Sequence, residues 1–263
     1  MGTGPLLFVT GASSGIGQAL AARFYRGGYR LALVARRAAE LTAWAEAQGF
    51  DASRIAVYAA DVRDVDAIVG AGRACVAAQG VPDVVIANAG ISIGMDTAEF
   101  DDLDVMRATF ETNNLGMAAT FHPFVAAMGA RRSGTLVGIA SVAAIRGLPG
   151  HAAYCASKAA VVSYCESLRG ELHASGVAVV TVVPGYIDTP LTRGNPYSMP
   201  FLMPVDAFAE QAFDAITAGV SYRVIPWQMG VVAKLMRMLP NALFDKAVRG
   251  RGRKPRKSQQ GDA

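Results

Sequence analysis

Leu6-Leu-Phe-Val-Thr-Gly-Ala-Ser-Ser-Gly-Ile-Gly17 sets an apolar run against a turn holding three glycines, and Gln18–Arg26 continues it at helical spacing. A strand that passes to a helix through glycines is a phosphate site. Gly11, Gly15 and Gly17 put no side chain between backbone and pyrophosphate, and the helix N-terminus offers free N–H groups and a positive dipole end. Ser13, Ser14 and Ile16 complete the loop. Alone, the glycine pattern is a weak signal; its weight comes from the motifs farther along the chain.

Further apolar runs occur at Leu31–Val34, Ile55–Ala59, Val84–Ala87, Leu136–Ile139 and Val177–Val183. They are short and nearly unbroken, as parallel strands covered on both faces should be. Segments at helical spacing alternate with them: Ala38–Gln48, Val65–Ala78, Val105–Met128 and Ala152–Ala174. The alternation predicts an α/β fold, a doubly wound parallel sheet with helices on both faces. Ligands of such a sheet lie beyond the carboxyl ends of its strands. The polar motifs fall there: Thr10–Gly17 after the first strand, Arg36 and Arg37 after the second, and Asp61 after the third. Asn88-Ala89-Gly90, Ser141 and Pro184-Gly185 follow the fourth, fifth and sixth.

The 263 residues are 52% hydrophobic and 17% charged, the balance of a chain with a large core rather than a disordered or fibrous one. One catalytic domain is expected over residues 1–226, with a C-terminal amphipathic helical extension at 227–248 and a basic disordered tail at 249–263. No apolar run reaches the roughly 18 residues of a membrane span, and no basic-then-apolar leader precedes the first strand. A cytoplasmic location is the expectation. Cys75, Cys155 and Cys165 have no metal or redox spacing, and His122, His151 and His173 are equally scattered, so no metal is expected. The net charge of +4 is concentrated in Arg249, Arg251, Arg253, Lys254, Arg256 and Lys257, against Asp262 alone, which leaves the body nearly neutral. A near-neutral body does not suit nucleic acid.

Tyr154 and Lys158 are four residues apart on an expected helix, so they share one face. Ser141 lies upstream, directly after a buried strand. A phenol near its ordinary pKa of about 10 is a poor acid or base at neutral pH, and an ammonium beside it favours the phenolate. Lys158 is expected to supply that bias, with Ser141 bonding the substrate oxygen and Tyr154 transferring the proton.

With these motifs the chain resembles the short-chain dehydrogenase/reductase family, in its single-domain Rossmann-type branch. The likeness runs from about Leu6 to Leu191, through Thr10–Gly17, Asp61-Val62, Asn88-Ala89-Gly90, Asn113 three before Gly116, Ser141, Tyr154-x-x-x-Lys158, and Pro184-Gly185 with Thr189. The resemblance implies that Asn113 kinks its helix and holds a water in a proton relay through Lys158, which also bonds the nicotinamide ribose. Asn113 is preferred over Asn114 on spacing to Gly116 alone. It further implies that Asp61 and Val62 contact the adenine, that Asn88 and Gly90 support the cofactor, and that Ile187 and Thr189 hold the carboxamide. A homodimer or homotetramer built by the two longest helices is implied as well.

An NAD-selective site ends its second strand in an acidic side chain, whereas the 2′-phosphate of NADP needs cations. Here that place reads Ala35-Arg36-Arg37. NADP(H) is therefore expected rather than NAD, with Arg36 the first candidate for the phosphate and Arg37 a solvated charge. The expected reaction interconverts a carbonyl and an alcohol by hydride transfer; the alternative is a non-catalytic NADP(H) sensor that acts through the C-terminal helix and tail. Sugar epimerase or dehydratase chemistry is a weaker third reading. The substrate side offers Ile91, Ser92, Ile93, Ala143, Ile145, Leu148, His151, Tyr186 and the loop 193–203. These suit a lipophilic carbonyl, while His151, Ser92 and Asn195 could serve sugar hydroxyls. Along Trp227–Val248, the residues Trp227, Val231, Leu235, Met238, Leu239, Leu243 and Phe244 recur at helical spacing, broken by Pro240. Packing on the same subunit or as part of the substrate pocket, a dimer contact and a membrane-surface helix all remain open for that stripe.

Overall fold

The computed structural model describes residues 4–250 and 252–259. In chain order the elements are β1 (Leu6–Thr10), α1 (Gly15–Arg26), β2 (Arg30–Ala35), α2 (Ala38–Ala47), β3 (Ile55–Ala59), α3 (Val65–Gln79), β4 (Val84–Ala87), α4 (Asp102–Phe110), α5 (Gly116–Arg131), β5 (Thr135–Ile139), α6 (Ala152–Leu172) and β6 (Ala178–Pro184). After these come β7 (Ile187–Asp188), α7 (Pro190–Arg193), β8 (Met203–Pro204), α8 (Val205–Thr217), β9 (Tyr222–Ile225), α9 (Trp227–Met238) and α10 (Asn241–Val248). Seven strands form one parallel sheet in the order β3-β2-β1-β4-β5-β6-β9, so the winding reverses between β1 and β4. That reversal opens a crevice beyond the strand ends. β1, β2, β4, β5 and β6 are buried along almost their whole length, which is why they read as unbroken apolar runs.

Two apolar layers cover the sheet. On one face Phe8, Val85, Phe121, Phe124 and Val161 pack together; on the other Val9, Leu20, Phe24, Leu33, Ile86 and Phe208 do. The helix α8, outside the expected set, carries Phe208, Ala209, Ala212 and Ile216 into the second layer, and Arg23 of α1 ion-pairs with its Glu210. The long helix expected over Val105–Met128 is divided: a π-helical turn, Glu111–Leu115, separates α4 from α5. This is the kink implied at Asn113, and such turns are frequent at functional sites.

Two expectations for the C-terminus change. The helical extension is two helices broken at Pro240, and its apolar stripe faces outward. Trp227, Val231, Leu235, Met238, Leu239 and Leu243 are exposed, while Phe244 alone of that set is buried. Met229 and Ala233 provide the inner face of α9, and Arg146 anchors the pair by donating to the carbonyls of Met236 and Leu239 at 2.5 and 2.7 Å while lying over the Phe244 ring. The guanidinium therefore satisfies the open carbonyl end of α9. The expected disordered tail is corrected as well: residues 252–259 lie on the domain, where the Gly94 N–H donates to the Pro255 carbonyl and Arg256 ion-pairs with Asp102 and Glu99. Arg251 and residues 260–263 lie outside the described residues. Among the described residues no helix is long and apolar enough to cross a membrane.

Candidate active site

The glycine loop leaves β1 at the switch point. A Cβ on Gly17 would lie 2.2 Å from the Gly11 carbonyl oxygen and 2.4 Å from Asn88 Nδ2, so only glycine lets α1 start this close to the loop. Asn88 ties the crevice together by donating from Nδ2 to the carbonyls of Thr10 and Gly11 at 3.0 and 3.2 Å. Thr10, the first residue of the motif and one given no role of its own from the sequence, accepts the Asn88 and Ala89 N–H groups on Oγ1 at 3.2 and 3.3 Å. Ser14 makes no side-chain cap, which leaves the first-turn N–H groups of α1 available to an anion. Thr189 stands across the loop, its Cβ 3.3 Å from where a Gly15 Cβ would be. Gly11, Ser14, Gly15, Asn88, Ala89 and Thr189 line a cleft of about 1020 Å³ together with Ser13, Ile16, Gly90, Pro184, Gly185 and Ile187, whereas Thr10 and Gly17 support its wall from behind. Narrow glycine cradle, uncapped helix start and long cleft all fit a dinucleotide.

Ser141, Tyr154 and Lys158 converge on the wall of that cleft, as the spacing predicts. Ser141 follows β5 and its Oγ accepts the Ala143 N–H at 3.2 Å. Its hydroxyl is also close enough to Tyr154 to act in the direction that lowers the phenol's pKa. Lys158 is buried beneath them, donating from Nζ to the Ile139 carbonyl at 2.8 Å, with Nζ 5.8 Å from the centre of the Tyr154 ring. The electrostatics differ from the expectation: loss of solvent pushes the Tyr154 phenol up to about 12, and Ser141 offsets only part of that rise. Lys158 does not hold it down. Burial instead lowers Lys158 to about 8. In this arrangement the phenol is a held proton rather than a standing phenolate.

Asn113 sits on the π turn and is fully engaged. Its Oδ1 accepts the Ile91 N–H at 2.9 Å, and Nδ2 donates to the Ile91 carbonyl and to Ser157 Oγ at 3.1 and 2.9 Å. It thus clamps the loop following Gly90 against α6. Asn114 donates to the Ser157 carbonyl at 2.9 Å, and its Oδ1 is buried without a protein partner. Asn113 Oδ1 and Lys158 Nζ lie 3.1 and 3.4 Å from where a Gly90 Cβ would be, so the two candidate relay groups meet over one glycine.

At the far end of the cleft β2 finishes in buried Ala35. Arg36 is exposed and stands 3.9 Å from Asp61, whereas Arg37 pairs with Glu40 of its own helix at 3.2 Å. Arg63, absent from the expected set, lines the same end and pairs with Glu111 at 3.3 Å. Val62 is buried against Gly116.

The model of the short chain dehydrogenase family matches residues 6–197. The chain belongs to that family. It is 39% identical over 244 residues to an uncharacterized oxidoreductase of Myxococcus xanthus, covering 92% of this chain and 95% of the relative. A short chain dehydrogenase of Burkholderia cenocepacia, solved in complex with NADP, superposes with a TM-score of 0.79 at 26% identity over 94% of this chain and 98% of that one. A 3-ketoacyl-(acyl-carrier-protein) reductase of Brucella melitensis, complexed with NADH, gives 0.73 at 28% identity over 84% and 95%. The chain is thus an oxidoreductase of this family, with a Rossmann-type fold that takes a nicotinamide dinucleotide.

A second cavity of this short chain dehydrogenase, about 140 Å³, shares Ser141, Tyr154, Gly185, Leu191 and Thr192 with the cleft. Val142, Leu148, Met229, Val232 and Met236 form its apolar walls. Most of its neutral polar groups are already used. His151 Nδ1 faces the Pro149 carbonyl at 3.2 Å, which leaves Nε2 to accept from the Tyr197 hydroxyl at 3.1 Å. Asn195 Nδ2 is directed at Met199 Sδ while its Oδ1 is buried without a partner among the described residues, and Ser92 accepts from Lys254.

Proposed function

We propose that the protein is an NADP(H)-dependent oxidoreductase that interconverts a carbonyl and an alcohol, running as a reductase, with Tyr154 as the acid/base. One observation carries this reading: the dinucleotide cleft and the apolar cavity meet at Ser141 and Tyr154. A carbonyl there would face the Tyr154 phenol at the mouth of the cleft whose residues would hold the dinucleotide. A nicotinamide held in that cleft would supply the hydride. Tyr154 gives its proton to the oxygen as charge develops there, Ser141 donates a second hydrogen bond, and Lys158 below them offers positive charge. A phenol held near 12 favours this direction, because it carries its proton throughout the neutral range. We infer that Asn113 and Lys158 stand on the path that resupplies that proton. The apolar walls formed by Val142, Leu148, Met229, Val232 and Met236, with His151 and Ser92 already engaged, favour a lipophilic carbonyl over a sugar. A sensor with no chemistry to perform would have no use for a half-buried phenol on the seam between two cavities with a buried ammonium beneath it. NADPH oxidation by the purified protein, measured across lipophilic ketones, aldehydes and quinones, tests the reading; absence of turnover for all of them would overturn it.

The cofactor preference rests on the absence of an acid at Ala35 and on Arg36 being held only by a 3.9 Å pair to Asp61. Arg36→Glu should weaken NADPH about tenfold or more, the worth of one charge-assisted contact at an exposed place, and leave NADH nearly untouched. Equal losses for both cofactors in fluorescence titrations would remove Arg36 from the phosphate site.

A further inference from the structure

The segment 252–259 runs along both cavities: Lys254 lines the substrate cavity, and Arg256, Lys257 and Ser258 line the dinucleotide cleft. The seat for that segment is built into the domain. Gly94 lies where a Cβ would come within 2.0 Å of the Lys254 carbonyl oxygen, and a Cβ on Gly150 would press on Arg253 at 3.0 Å. Ion pairs hold the flanking cations: Arg253 with Asp96 at 3.5 Å, and Arg256 with Glu99 at 3.1 Å and with buried Asp102 at 2.7 Å. That pairing also keeps the Asp102 carboxyl below the usual carboxylate range.

Lys254 differs from these neighbours. Its Nζ meets only neutral acceptors, Ser92 Oγ at 3.3 Å and the Leu191 carbonyl at 3.1 Å, and it forms no ion pair among the described residues. The cavity wall contains no Asp or Glu. Besides Lys254 its charged or titratable groups are Arg146, His151, Tyr154, Tyr186 and Tyr197, and Arg146 is spent on the carbonyl end of α9. A half-buried ammonium in an apolar cavity, without a counter-charge, is an incomplete ion pair, and an uncompensated charge in such a place is costly.

We infer that the missing partner is the substrate: Lys254 binds a carboxylate carried by the lipophilic carbonyl compound whose oxygen sits on Ser141 and Tyr154. This inference rests on the carbonyl–alcohol reading above and narrows its substrate class to a keto acid or hydroxy acid. Lys254 lines the substrate cavity and not the dinucleotide cleft, which separates it from the cofactor phosphates. At about 140 Å³ the space suits a skeleton near the size of one six-membered ring, since a cavity of about 150 Å³ holds benzene. Burial lowers Lys254 to about 8, so the ammonium form that would meet the carboxylate prevails at neutral pH and below.

The test uses the full chain with NADPH and a series of short aliphatic and cyclohexanone-type ketones, each as the carboxylate, the methyl ester and the phosphate monoester. The expected result is a carboxylate-over-ester ratio in kcat/KM of roughly 10 to 100, the range of a hydrogen bond to a charged group. That ratio should collapse in Lys254→Met and return in Lys254→Arg. Titration calorimetry of the carboxylate into the NADP⁺-loaded protein should show the same loss in Kd, a readout independent of turnover. Turnover that favours esters or phosphates, or a Lys254→Met ratio equal to the unaltered protein's, would overturn the carboxylate assignment and leave the oxidoreductase reading standing. No turnover of any member, by the unaltered protein as by Tyr154→Phe, would overturn both.

Discussion

Tyr154→Phe should lower carbonyl reduction by about three orders of magnitude, inside the ~10²–10⁴-fold range of a positioned general acid, while NADPH still binds. The substitution keeps the ring and removes only the hydroxyl beside Ser141. Because that phenol is raised to about 12 rather than lowered, the two directions should respond differently to pH. Reduction needs the protonated form, which persists across the neutral and mildly alkaline range. Oxidation needs the phenolate, whose fraction grows about tenfold per pH unit below the pKa, so alcohol oxidation should climb steeply with pH. Full reductase activity in the phenylalanine variant would take the proton step away from Tyr154. Alcohol oxidation that is flat with pH would contradict a phenol held this high.

The parts of the molecule that were legible in the sequence are those in which local pattern and tertiary role coincide. β2 and β5 are buried on both faces, so every position along Leu31–Ala35 and Leu136–Ile139 must be apolar or small. The glycine loop, Ser141 and the Tyr154–Lys158 pair were legible because each is set by a strand end or a helical repeat. What escaped depends on partners distant in the chain. The segment 252–259 is rich in cations and reads as solvated, yet it is held by Asp102, 154 residues away. Asp102 lies just before Val105, where the helical spacing begins, and its burial is explained by the Arg256 pairing. α9 does line the substrate cavity, one of the readings open for this segment, but through Met229, Val232, Ala233 and Met236 rather than through the stronger apolar repeat of Trp227, Val231 and Leu235, which faces outward. The direction of the Tyr154 shift was also beyond reach, because it turns on how little solvent reaches its hydroxyl rather than on which residues are nearby.

Lys158→Met should inactivate the enzyme and stabilise the cofactor-free protein. The ammonium is buried with a single carbonyl acceptor, Ile139 at 2.8 Å, and its pKa falls from 10.5 to about 8 because burial penalises the charged form. An unfolded chain would hold that proton up to about pH 10.5, so between about pH 8 and 10.5 unfolding takes up protons and stability rises with pH. Below pH 8 the penalty is present in full, roughly 3 kcal/mol for a shift of this size. Methionine fills a similar volume without charge and leaves the Ile139 carbonyl without this donor, a loss of about 1 kcal/mol. The balance is a gain of about 2 kcal/mol at pH 7, a rise of several degrees in Tm, which should shrink as the pH of the melt is raised through 8 toward 10. The accompanying fall in kcat should be about 10²-fold or more, the scale of removing one preorganised electrostatic contact to a developing oxyanion. A less stable Lys158→Met at pH 7, or a gain that does not vary with pH, would mean that the ammonium is better solvated in the folded protein than its burial implies. A stabilised but inactive variant would instead identify Lys158 as a group kept at a cost in stability for the chemistry at Tyr154.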